Sequence, residues 1–106
     1  MKTGWTMPVL LLVAASAQAQ AQGQGPNALY VKSLAATCAN CHGTDGRTIE
    51  GSGVPSLAGM PREYMLTQLR AFKSGSRPAT VMHQLSKGFN DGQIDQLAGY
   101  FAAQKK

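Results

Sequence analysis

The sequence predicts an all-α domain of three to five short helices joined by long loops. Three observations carry this. Apolar residues recur at helical spacing in separate segments. Clusters of glycine, proline and serine punctuate those segments. No stretch of useful length alternates apolar and polar residues as a half-buried strand would. Neither an internal repeat nor a second domain is visible in the 106 residues, a length that suits one small domain.

Residues 1–21 read as a cleaved export signal. Lys2 precedes an apolar stretch from Met7 to Ala15, and overlapping Ala-x-Ala cleavage options follow up to Ala21. About nine apolar residues fall well short of the roughly 20 that a helix needs to cross a hydrocarbon core. No membrane span is therefore expected after cleavage, and the mature chain is expected in the periplasm. Residues 22–27 form a flexible leader and residues 28–106 the folded domain.

Asn27 is placed to cap a first helix that runs through Leu29, Tyr30, Leu34 and Ala35 toward Cys38. Five glycines and Pro55 make residues 43–59 a 17-residue irregular loop. A loop that long in so small a domain needs a function or a bound group to organise it. Pro61 suits the first turn of a second helix, with Tyr64, Met65, Gln68, Leu69 and Phe72 on one face. Ser74-Gly75-Ser76 ends it. A short helical stretch after Pro78 carries Val81, Met82 and Leu85 as far as Gly88. Asn90-Asp91-Gly92-Gln93 reads as a capping box. The closing helix then sets Ile94, Leu97, Ala98 and Phe101 on one stripe, with Tyr100 beside it.

A composition of 43% hydrophobic and 14% charged residues excludes an acidic disordered tail and a highly charged helix. The formal net charge of +5 loses only Lys2 with the signal. The remaining basic residues are scattered, with no run beyond Lys105 and Lys106. A nucleic-acid binder would concentrate them in a patch, so no nucleic-acid partner is expected, and the mild excess suits docking to an acidic partner protein. Removing the signal leaves about 85 residues, a marginal size for a self-sufficient core. Domains this small lean on a disulfide, a metal or a cofactor. Cys38 and Cys41 are three apart, and a disulfide closing so short a loop constrains the fold little. Something else completes the core.

The segment Cys38-Ala39-Asn40-Cys41-His42 carries the chemistry. Cys-x-x-Cys-His is the signature of covalent haem c attachment. Two thiols on consecutive helical turns add to the two vinyl groups of one porphyrin, and the next imidazole lies over the iron as proximal ligand. Two rival readings are weaker. A zinc site needs four ligands, and beyond this segment the chain offers only His83 and no second cysteine pair. A thioredoxin-like redox pair needs a βαβ setting that is absent. One haem c per chain is expected, with Cys38 and Cys41 as its attachment points. The candidates for a second axial ligand are Met60, Met65, Met82 and His83. Met60 and Met65 lie close to the CxxCH segment and on an apolar face, where packing accounts for them. Met82, forty residues beyond His42, lies on a short segment free to fold across the opposite haem face. Spacing favours it over His83. Tyr64 and Arg77 combine polar tips with positions flanking this pocket, as partners for the haem propionates.

These pieces resemble the class I cytochromes c. The likeness rests on Cys38 to Gly43, the proline-leucine loop Pro55-Ser56-Leu57-Ala58-Gly59, Met82, and Leu97-Ala98-Gly99-Tyr100 in the closing helix. It is closer to periplasmic cytochrome modules that read PxLAG, then YxxxQL with FKxGxR, then a methionine eight residues before the last cap. Here those are Tyr64 to Leu69, Phe72 to Arg77, Met82 and Asn90. That group includes di-haem electron carriers and the cytochrome subunit of flavocytochrome c sulfide dehydrogenase.

The resemblance implies a class I cytochrome c fold wrapped around one covalent haem, with His42 and Met82 as axial iron ligands. It also implies that the carbonyl of Pro55 accepts a hydrogen bond from His42. With both axial positions filled, the expected function is outer-sphere electron transfer between redox partner proteins, a flavoprotein subunit among them, and not catalysis by the chain itself. The alternatives are a free periplasmic shuttle to a terminal oxidase or reductase, a haem enzyme or gas sensor with an open distal site, and a metal-binding or structural module without haem. Two features depart from the family pattern. Tyr30 stands where many such chains have a small residue at the crossing of the first and last helices, with Gly99 as a substitute small surface, and only one CxxCH is present.

Overall fold

The structure, a computed structural model, describes Met1 and residues 26–106; the expected signal and most of the leader lie outside the described residues. Helix α1 spans Pro26–Ala36 and α2 spans Ala39–His42. A 3₁₀ turn at Thr44–Gly46 follows, then α3 (Arg62–Ser74), α4 (Met82–Lys87) and α5 (Asp91–Ala102). Among the described residues there is no strand, and the all-α expectation holds.

The closing stripe is the centre of the core. Ile94, Leu97, Ala98 and Phe101 of α5 are buried, and α1 and α3 both pack on that helix. The predicted capping box starts it: the Gln93 N–H donates to Asn90 Oδ1 at 2.8 Å and the Asn90 N–H to Gln93 Oε1 at 2.9 Å. Such a cap stabilises a helix by about 1 kcal/mol.

The other faces needed correction. Among the described side chains of α1 only Ala35 is buried, with Leu34 partly so, while Leu29 and Tyr30 are exposed. The first half of α1 meets α5 through polar tips instead, Gln93 Nε2 donating to the Tyr30 hydroxyl at 2.8 Å. The helix begins at Pro26, one residue before the predicted cap, because proline at a first turn has no N–H to leave unpaired. A Cβ added at Gly99 would meet nothing within 4 Å, so Gly99 does not supply the close surface at the crossing. The small buried residues of the cluster are Ala35 and Ala98. In α3 the buried pair is Met65 and Leu66, with Leu69 beside them, and Tyr64 is 52% exposed. The stripe is rotated by one position from the predicted one, which leaves Tyr64 on its flank.

Pro61 precedes α3, and Gly75 ends it in the left-handed conformation at φ 83°, its N–H returning to the Phe72 carbonyl. Lys73 Nζ donates to the Phe89 carbonyl at 2.7 Å and lies 3.2 Å from Asp91. Arg62 bonds Asp95 and lies 2.6 Å from Glu63. The ion pairs are exposed and contribute little, but the Lys73 bond fastens the end of α3 to the start of α5, and α4 packs against α3.

Eight apolar residues are buried among those described, three of them alanine. Ile49, Val81 and Leu85 are large, apolar and exposed. The polypeptide by itself does not cover its own apolar surface.

Candidate cofactor site

The site grows from the end of α1. The Thr37 and Cys38 amides return to the Leu34 and Ala35 carbonyls, closing α1. The His42 N–H then bonds the Cys38 carbonyl at 2.9 Å and the Gly43 N–H bonds Ala39 at 2.9 Å, winding one further turn as α2. Cys38 and Cys41 are thus one helical turn apart, with His42 next in line, and both thiols are free. Burial pushes the Cys38 thiol above its ordinary pKa, and the contact of its sulfur with the Thr37 hydroxyl, at 3.9 Å, offsets part of that. The thiol is neutral near pH 7, unlike the activated thiolate of a redox pair. Among the described residues, no three His, Cys, Asp or Glu side chains come together as they would around a structural zinc.

His42 is 8% exposed, and its Nδ1 lies 2.7 Å from the Pro55 carbonyl oxygen. A carbonyl only accepts, so Nδ1 carries the proton and donates, which leaves the lone pair on Nε2 unused. That is the tautomer an imidazole needs to bind a metal through Nε2.

The carbonyl is held in place by the turn that follows His42. Gly43 adopts φ 78°, and a Cβ there would fall 1.9 Å from the Arg47 carbonyl oxygen, so only glycine fits. The Gly46 carbonyl accepts three bonds from the proline loop: the Leu57 N–H at 2.8 Å, the Ala58 N–H at 3.1 Å and the Ser56 hydroxyl at 2.8 Å. The end of α5 clamps both segments. The Gly59 N–H bonds the Phe101 carbonyl at 2.9 Å, Arg47 Nε donates to the Lys105 carbonyl at 2.8 Å, and the Tyr100 hydroxyl donates to Asp45 Oδ1 at 2.5 Å. Asp45 takes a left-handed φ of 53° without being glycine, and Tyr100 holds it there.

The Tyr100 contact yields a pH prediction. Burial first, and then the bond to Asp45, raise the Tyr100 pKa from 10.0 to about 12. The folded protein therefore holds this proton more tightly than the unfolded chain. The contribution is complete below about pH 10 and is lost as pH rises through about 12. The stability difference between wild type and Tyr100→Phe, from denaturant unfolding, should stay constant up to pH 10 and shrink above it. A difference independent of pH across that window would contradict the assignment.

Met65 is 3% exposed inside the core cluster, and Met60 packs partly against it. Met82 opens α4, half-buried, with His83 half-buried beside it. A cavity of about 700 Å³ beside the proline loop is lined by Arg47, Thr48, Ser56, Met60, Tyr64 and Lys106, among others. Tyr64 therefore shares its surroundings with Arg47. Arg77 places its guanidinium 4.5 Å above the Phe72 ring and is hydrogen-bonded to Gln68. Asp45, Arg47 and Tyr100 were not singled out for this site by sequence reasoning. The only sequence signal for them is the Gly43-x-x-Gly46 spacing around Asp45.

The residues fit a covalent haem: two free thiols one turn apart, a buried imidazole with Nε2 available, and uncovered apolar side chains. The sequence model of the cytochrome c family matches residues 28–104. The chain belongs to the cytochrome c family. It therefore carries covalently bound haem c. This cytochrome is 46% identical over 68 residues to the cytochrome subunit of sulfide dehydrogenase from Chlorobaculum tepidum, a match over 64% of this chain and 60% of that one. It is 39% identical over 71 residues to the thiosulfate dehydrogenase electron acceptor of Thiomonas intermedia, over 67% of this chain and 33% of that relative. It is 32% identical over 72 residues to cytochrome c-554(548) of Halomonas halodenitrificans, over 65% of this chain and 86% of that one. The cytochrome thus spans under two thirds of the first relative's length and a third of the second's.

Proposed function

We propose that Cys38 and Cys41 hold the haem by two thioether bonds, that His42 and Met82 are its axial ligands, and that the protein carries electrons between partners without catalysing a reaction of its own. The observation that carries this is the His42–Pro55 hydrogen bond, which buries the ring with Nε2 free. When bound, the haem supplies a one-electron iron(III)/iron(II) couple. The chain's residues do the rest. Pro55 fixes the imidazole plane and raises its basicity. Met82 closes the remaining iron position against substrate, and its thioether favours the reduced state relative to a second histidine. We assign the polar contact with the haem carboxylates to Tyr64. Arg77 is the cationic candidate for the same contact, and Arg47 lines a cavity with Tyr64.

For the partner, the reading is a subunit of a periplasmic flavoprotein dehydrogenase acting on reduced sulfur compounds. A flavin takes up electrons in pairs, whereas a single haem passes them on singly, so such an enzyme needs this kind of exit. The first two relatives are named as a sulfide dehydrogenase subunit and a thiosulfate dehydrogenase electron acceptor, which supports a dehydrogenase of reduced sulfur compounds as the partner. Among the described residues no helix is long and apolar enough to cross a membrane. A free shuttle to a terminal oxidase or reductase is the second reading, favoured by the match over most of cytochrome c-554(548). Size exclusion of the native extract separates the two. A subunit co-elutes with flavin even at high salt, where purely electrostatic encounters dissociate. A haem peak running alone at about 10 kDa at low and high salt contradicts the subunit reading.

A further inference from the structure

Helix α4 places two unpaired polar atoms beside Met82. At 3.6 residues per turn, Ser86 lies one turn beyond Met82 on the same side, and His83 sits next to that row. Val81 and Leu85 fall on the other flank, 52% and 53% exposed. Ser86 is 1% exposed, yet its hydroxyl has no hydrogen-bond partner, and neither has the buried Nδ1 of His83. The two are not bonded to each other. Nor does the Ser86 hydroxyl bond the Met82 carbonyl one turn back, the usual refuge of a serine inside a helix. Buried hydroxyls in native proteins are nearly always satisfied, and an alanine would fill this place without leaving a group unpaired.

We infer that Ser86 is a positioning residue for the distal ligand: its hydroxyl donates to the sulfur of Met82 when that sulfur is on the iron. The inference rests on the reading of Met82 as the axial ligand. Side chains on a helix lean toward its N-terminus, which aims Ser86 back toward Met82, and a thioether sulfur accepts a weak hydrogen bond. Such a bond draws electron density off the sulfur and reduces its donation to the oxidised iron, so it raises the reduction potential. His83 Nδ1 is the competing acceptor. A Ser86–His83 pair would satisfy both orphan atoms and leave the sulfur untouched.

The test uses the full haem-bearing protein and reads the reduction potential together with the near-infrared sulfur-to-iron charge-transfer band. Ser86→Ala should lower the potential and displace the band, while His83→Ala should move neither in that way. Ser86→Thr keeps the hydroxyl and should return both toward wild type; should its extra methyl prevent folding, the Ser86→Ala result decides alone. A wild type that shows the band and a Ser86→Ala protein with both readouts unmoved overturn the Ser86 assignment and leave Met82 ligation standing. Identical shifts in the two alanine variants overturn it in favour of a Ser86–His83 pair. A wild type with no band overturns Met82 ligation and the Ser86 role with it.

Discussion

Changing both Cys38 and Cys41 to alanine should abolish covalent haem and leave the chain largely unfolded. Among the described residues, the core contains eight buried apolar residues, three of them alanine, in a domain whose Ile49, Val81 and Leu85 stay exposed. A domain of this size buries too small a fraction of its surface to be secure without help. A group bound only by the folded state adds its binding free energy to stability, and that gain disappears with the attachment. The expected loss is complete on both counts: no haem on the chain after denaturing electrophoresis, and the far-ultraviolet dichroism of a mostly unfolded chain. Haem still attached in the double mutant would place the linkage elsewhere.

Met82→Ala should open the sixth iron position, lower the reduction potential and let small exogenous ligands bind the iron. Met65→Ala provides the contrast. Met65 lies in the cluster with Ala35, Leu66, Ile94 and Leu97, so its truncation should cost roughly 2–5 kcal/mol of stability and leave the iron's ligand set intact. Measured potentials and ligand titrations of the two variants separate a ligand from a core residue. Persistence of the sulfur-to-iron band in the Met82 variant would contradict the assignment.

The features the sequence foretold are local ones. The Asn90–Gln93 box, the α5 stripe, the stops at Gly75 and Gly88 and the spacing of Cys38, Cys41 and His42 all depend on residues within a turn or two of one another. The structure departs from expectation where distant residues decide. Leu29 and Tyr30 have helical spacing, but α1 meets α5 there through polar tips, so periodicity overstated the buried face. Asp45 in a left-handed turn is explained by Tyr100, 55 residues away, and no local pattern announces that contact. Ser86 is likewise buried, on a helix that packs against α3, and a serine flanked by Leu85 and Lys87 does not advertise that. Tyr64 and Arg77 are sequence candidates by their positions flanking one pocket. Arg47 lines a cavity with Tyr64, and no local pattern in the sequence announces that.

The absorption spectrum of the purified protein, oxidised and then reduced, tests the central claim most directly. A haem held by His42 and Met82 is six-coordinate and low-spin. It should show sharp bands on reduction and, when oxidised, the near-infrared band of a sulfur ligand. Broad high-spin bands without the near-infrared feature would mean an open iron position and would contradict the account.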